Sequence, residues 1–178
     1  MTWALVVVDG LQWQGVSAVG QAARVSERIQ ALVRGFSEAG ERVFHVENAL
    51  ERADLSASPG KGQQVLRRYG TDAFAGSGLA RQLREAGVHS IVLCGTGTDS
   101  AIDATAKRAL ANGFDLILAS DAHLAFDRGA LRAESIVEHY NSVLAELVTP
   151  GQVIEVLPTA ELLAVLRDEP AMPAAVGW

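Results

Sequence analysis

The chain has 178 residues, 49% hydrophobic and 20% charged, with a formal net charge of -6. That length asks for one domain and suffices to bury most of the apolar surface around one core, and the composition excludes disorder. The acidic balance, with no dense Lys/Arg run, argues against a nucleic-acid partner, and Arg67-Arg68 is too short a basic cluster to change that. Cys94 is the single cysteine, which excludes an intrachain disulfide and a C-x-x-C site and fits a reducing cytoplasm. The apolar start MTWALVVV ends at Asp9 without a basic leader region. No apolar stretch approaches the roughly 18 residues a membrane helix needs. The expectation is a cytoplasmic protein without membrane segments.

Residues 4–8 (ALVVV) form a continuous apolar run, suited to a strand covered on both faces. Val25, Ile29, Leu32, Val33 and Phe36 follow at helical spacing, with Gly40 as a stop. Residues 42–47 (RVFHVE) read as a second strand, and residues 48–62 as a long polar loop. Residues 78–86 read as a helix, and residues 90–94 as a third strand. Ile102, Ala106, Ala109 and Leu110 share one face of the next helix, which stops at Gly113. Residues 114–119 (FDLILA) are a fourth strand. Residues 133–147 are a helix with Ile136, Val137, Tyr140, Val143, Leu144 and Leu147 on one face. Residues 153–156 form a late strand and residues 160–166 a closing helix. Strands alternating with helices predict a three-layer α/β/α fold with a mostly parallel, Rossmann-like sheet of about six strands. The expected organisation is a single domain over residues 1–168, with 169–178 as a C-terminal tail.

Chemistry is expected at the carboxyl ends of the strands, where ligands of open α/β sheets bind. Asp9 follows the first strand and suits a general acid or base, or a turn cap. Residues 95–101 (GTGTDSA) form a glycine-rich turn into a helix, whose first N–H groups and positive dipole end favour developing negative charge. The amides of Gly97 and Ala101 are candidates for an oxyanion hole, which needs N–H groups and not side chains. Thr98, Asp99 and Ser100 are candidate caps. Ser100 points about 100° away from Ala101 on a helix and is no substitute nucleophile. Arg68 would supply a fixed positive charge and a carboxylate clamp. Trp13, Tyr69, Phe74 and His123 are candidate pocket walls. His45, His89, His123 and His139 match no zinc spacing, and no metal or cofactor is expected.

The segments ALVVVDGLQ, RRYGTDAFAGSGL, VLCGTGTDSAIDATAKRALANGFDLILASDAH and RAESIVEHYNSVL together resemble the isochorismatase-like cysteine hydrolases. That superfamily includes nicotinamidases, N-carbamoylsarcosine amidohydrolases and isochorismatases. Its usual triad is Asp, Lys and Cys. Carried over by position, Asp9 matches the aspartate, Arg68 falls at the lysine and Ala101 falls at the nucleophilic cysteine. The resemblance places the oxyanion amides at Gly97 and Ala101, with a cis peptide bond at Thr96-Gly97. It also implies a small-molecule substrate and a homodimer or homotetramer.

Three readings follow from the resemblance. In the first, a hydrolase cleaves a C–N bond, amide or carbamoyl, through a thiol at position 101 that alanine disables, as a substrate-trapping replacement would. In the second, a thiol-free hydrolase uses Asp9 as general acid on a vinyl ether, with Arg68 holding a substrate carboxylate. In the third, the chain is a ligand-binding pseudoenzyme that keeps the pocket without the chemistry.

Overall fold

A computed structural model of the chain describes residues 2–10, 20–50, 60 and 62–168. The strands are β1 (Trp3–Val8), β2 (Arg42–Asn48), β3 (Gln63–Arg68), β4 (Ser90–Thr96), β5 (Asp115–Leu124) and β6 (Ile154–Leu157). The helices are α1 (Gln21–Glu38), α2 (Leu79–Glu85), α3 (Asp103–Ala111), α4 (Ala133–Ala145) and α5 (Thr159–Asp168). A π-helical turn, Thr98–Ile102, leads into α3.

The strands form one parallel sheet in the order β3-β2-β1-β4-β5-β6. Every residue of β1 and β4 is buried, as their apolar runs require of strands covered on both faces. One face packs Val6, Val8, Leu93 and Leu118 against Leu79 and Leu83 of α2, Ala106 and Leu110 of α3 and Leu144 of α4. The other packs Leu5, Val7, Val92 and Cys94 against Val25, Ile29, Leu32 and Phe36 of α1 and Leu162 of α5. Of the residues the helical spacing selects, Val25, Ile29, Leu32 and Phe36 of α1 are buried and Val33 is partly buried, while Ile102, Ala106, Ala109 and Leu110 are buried in the π-helical turn and α3.

The structure corrects three expectations. First, the sequence pattern places no strand between residues 48 and 78, yet residues 63–68 (QQVLRR) pair in parallel with β2. This edge strand is only half buried over most of its length, so it carries no apolar run for a periodicity reading to detect. Secondly, β5 runs on to Leu124. Between Leu93↔Leu118 and Gly95↔His123 its register with β4 shifts, and residues 119–122 bulge. His123 therefore lies inside a strand and not on the rim beyond one. Thirdly, no side chain caps the turn after β4. Gly97, with φ 86, opens it, and the Ser100 hydroxyl donates back to the Gly97 carbonyl.

The carboxyl edge where β1 and β4 end is tightly built. Gly95 has φ +131, and a Cβ there would sit 2.1 Å from the Val8 carbonyl oxygen. Only glycine lets β4 pass β1 this closely. Among the described residues no helix is long and apolar enough to cross a membrane.

Candidate active site

The sheet order sets β1 and β3 on either side of β2, and Asp9 and Arg68 meet across the end of that strand. Asp9 has φ 50, an unusual left-handed conformation for a residue with a side chain. Its N–H donates to the Val46 carbonyl (3.0 Å), which anchors the turn. Its Oδ1 accepts from the Asn48 N–H (2.9 Å), and its Oδ2 accepts from Arg68 Nη2 (2.5 Å). Both side chains are more than nine-tenths buried. Arg68 Nη1 donates to the Gly70 carbonyl and to the Thr71 carbonyl (3.2 Å). The guanidinium is thus held as a fixed plane between a carboxylate and two carbonyls. It orients Asp9 and carries permanent charge, but it cannot shuttle a proton as a lysine can.

Beside this pair, β4 ends in the turn that carries Ala101. The Val8↔Gly95 register puts Asp9 next to Thr96 at the same edge. Ala101 is buried, inside a π-helical turn, a conformation frequent at functional sites. Its methyl group offers neither nucleophile nor hydrogen bond. Gly97 has φ +86, and a Cβ there would meet the Ser100 hydroxyl at 2.8 Å and lie in ordinary contact with the Ala101 nitrogen (3.4 Å) and Cβ (3.5 Å).

The Thr96-Gly97 bond is trans, since no cis peptide bond occurs among the described residues. In this conformation the Gly97 N–H points to β5 and donates to the Leu124 carbonyl (2.8 Å). It is therefore not turned toward an oxyanion, contrary to the role expected of it.

The pocket-wall candidates separate. Trp13 lies outside the described residues. Tyr69 is largely exposed and lies against Gly76. The Phe74 ring stacks on Phe114 with centroids 6.2 Å apart. Phe74 is partly buried against the core, so its ring packs inside the protein. His123 is buried, with Nδ1 2.9 Å from Thr98 Oγ1 and Nε2 2.9 Å from Asn141 Oδ1. Both ring nitrogens are occupied by the protein, which replaces the expected substrate contact with an internal one. Burial lowers its pKa from 6.5, so the ring is neutral near pH 7. His139 is exposed and meets Tyr140 edge to face. Asn141 escaped the sequence reading. Its one signal was a polar side chain among Val137, Tyr140 and Leu144 on the inner stripe of α4. Among the described residues no group of three His, Cys, Asp or Glu side chains could hold a metal ion.

The isochorismatase domain model matches residues 4–149. The chain belongs to the isochorismatase family. A streptothricin hydrolase from Streptomyces noursei is 32% identical over 173 residues, covering 88% of this chain and 62% of that protein. The chain thus spans less than two thirds of that relative. Among solved structures, a cysteine hydrolase from Pseudomonas syringae superposes with a TM-score of 0.77 at 19% identity, covering 93% of this chain and 92% of that one. The N-carbamoylsarcosine amidase from Thermoplasma acidophilum gives a TM-score of 0.70 at 21% identity, covering 89% and 97%. These structural matches establish the isochorismatase-family fold. In this isochorismatase-family chain, Arg68 and Ala101 stand where the resemblance puts lysine and cysteine.

Proposed function

We propose that this isochorismatase-family chain is built as a hydrolase of a small-molecule C–N bond, amide or carbamoyl, with catalysis centred on position 101. With Ala101 in place it binds its substrate without forming a covalent intermediate. The observation that carries this reading is the position of residue 101 at the head of the β4–α3 turn, beside the buried Asp9–Arg68 pair at the same sheet edge. The named relatives, a streptothricin hydrolase and an N-carbamoylsarcosine amidase, support the reaction class. A sulfur at position 101 would attack the carbonyl carbon. The C–N bond would break, the amine would leave with a proton, and water would cleave the acyl–sulfur bond to restore the thiol.

Thiol-free acid catalysis by Asp9 is the weaker reading. Both carboxylate oxygens already face N–H donors, from Asn48 and Arg68, so a transferable proton on Asp9 would displace one of these bonds. A homodimer or homotetramer in the cytoplasm completes the proposal, to be checked by sedimentation and cell fractionation.

The test compares the parent chain, Asp9→Asn, Ala101→Cys and Ala101→Cys/Asp9→Asn on streptothricin, N-carbamoylsarcosine, simple amides and isochorismate. Amide turnover by Ala101→Cys alone supports the proposal. Activity in the parent that Asp9→Asn abolishes would assign thiol-free chemistry to Asp9. No turnover by any form would leave a ligand-binding protein.

A further inference from the structure

A chain of buried hydrogen bonds ties the turn of residue 101 to α4. Thr98 opens the π-helical turn and is completely buried. Its hydroxyl lies 2.9 Å from His123 Nδ1, His123 Nε2 lies 2.9 Å from Asn141 Oδ1, and Asn141 Nδ2 donates to the Ser120 carbonyl (2.9 Å) in the bulge of β5. The Ser120 carbonyl can only accept, so it sets the direction of every bond. Asn141 must give its amide hydrogen to Ser120 and turn its oxygen to His123. His123 therefore carries its proton on Nε2, and its bare Nδ1 accepts from the Thr98 hydroxyl. Burial, which keeps the ring neutral, preserves that acceptor. Two backbone contacts reinforce the link: the Gly97 N–H donates to Leu124, and Thr96 is in register with Leu124.

We infer that His123 is a positioning residue: through the Thr98 hydroxyl it fixes the π-helical turn that carries residue 101 and so sets the direction of that residue's side chain. The bulge in β5 serves this role, because it brings His123 opposite Gly95. Without it the strand would continue in the Leu93↔Leu118 register and His123 would lie beyond the turn. The inference deepens the proposal for position 101 and rests on that position being the reactive one.

The test reads geometry without needing a substrate. In the Ala101→Cys protein, alkylation of the introduced thiol by iodoacetamide is followed at fixed pH, with the parent chain reporting any background from buried Cys94. Thr98→Val keeps the shape and removes the hydroxyl, Thr98→Ser restores it, and His123→Ala removes the acceptor. The expected result is alkylation slowed about tenfold by Thr98→Val and by His123→Ala, with Thr98→Ser close to the Ala101→Cys rate. Melting temperatures are measured alongside. Lower melting temperatures with unchanged alkylation in Thr98→Val would reduce the network to a stabilising contact and overturn the inference. Failure of the introduced thiol to react in the Ala101→Cys protein itself would overturn it too. Failure of amide turnover with normal alkylation would remove the proposed reaction and leave the positioning role standing.

Discussion

Arg68 Nη2 and Asp9 Oδ2 lie 2.5 Å apart, and each side chain is less than a tenth exposed, although 59 residues separate them in sequence. The pair closes over the end of β2 and joins the outer strand β3 to β1. A buried ion pair is weak evidence of net stabilisation, but removing one partner strands the other. Arg68→Ala should therefore lower stability by about 3–5 kcal/mol. Arg68→Lys, which keeps the charge and loses the fork onto the Gly70 and Thr71 carbonyls, should cost about 1–2 kcal/mol. Urea denaturation measures both, and equal effects would mean the carbonyl contacts matter more than the charge.

Arg68→Lys has a second consequence. In the Ala101→Cys background it completes the Asp, Lys and Cys set that the resemblance assigns to the family. Amide turnover should rise on adding it, because a lysine can pass a proton where a guanidinium cannot. A steady-state assay of the two variants decides this. A fall in kcat would mean that Arg68 is the working partner of this particular site.

Burial holds His45 and His123 below the ordinary histidine value of 6.5. In the unfolded chain both titrate near 6.5, so below that pH the unfolded state binds protons that the folded state refuses. Stability is then fully present above pH 6.5 and is lost as the pH falls below it. The urea midpoint should drop between about pH 7 and pH 5. His45→Gln, which can still donate to Gln63, should flatten part of that slope. A midpoint independent of pH over this interval would contradict the burial seen for both rings.

Gly87 and Gly95 both have positive φ, but their surroundings differ. A Cβ at Gly87 meets nothing within 4 Å, whereas one at Gly95 would meet the Val8 backbone. Gly87→Ala should cost only backbone strain, about 1 kcal/mol. Gly95→Ala should cost more than about 4 kcal/mol, because two central strands must separate. Comparing soluble yield and urea midpoints tests the contrast.

Cys94 is fully buried in β4, and desolvation pushes its thiol pKa far up. The native parent chain should resist iodoacetamide and become alkylated once unfolded in urea. Mass spectrometry reads this directly. Rapid alkylation of the native chain would show β4 opening locally.

The parallel sheet was legible because β1 and β4 carry unbroken apolar runs, and the helix faces because Val25, Ile29, Leu32 and Phe36 recur at helical spacing. Edge strand β3 was not, since a strand with one neighbour needs little apolar surface. Asp9 and Ala101 could be singled out from the sequence, because Asp9 follows an apolar run and Ala101 begins a helix at the edge where ligands bind, whereas Arg68 stood out by its fixed charge and by the position the family resemblance gives it. The fates of His123 and Phe74 could not be read there. A bulge in β5 drew His123 inward to Thr98 and Asn141, and the Phe74 ring packs against Phe114 in the core. Layering was written in the local periodicity, the lack of a thiol at position 101 in the residue itself, and the family in the resemblance that the four motif segments carry. That Arg68 clasps Asp9, and that the Gly97 N–H turns to Leu124, emerged with the folded chain alone. Those contacts join distant segments, and strand order and register bring their partners together.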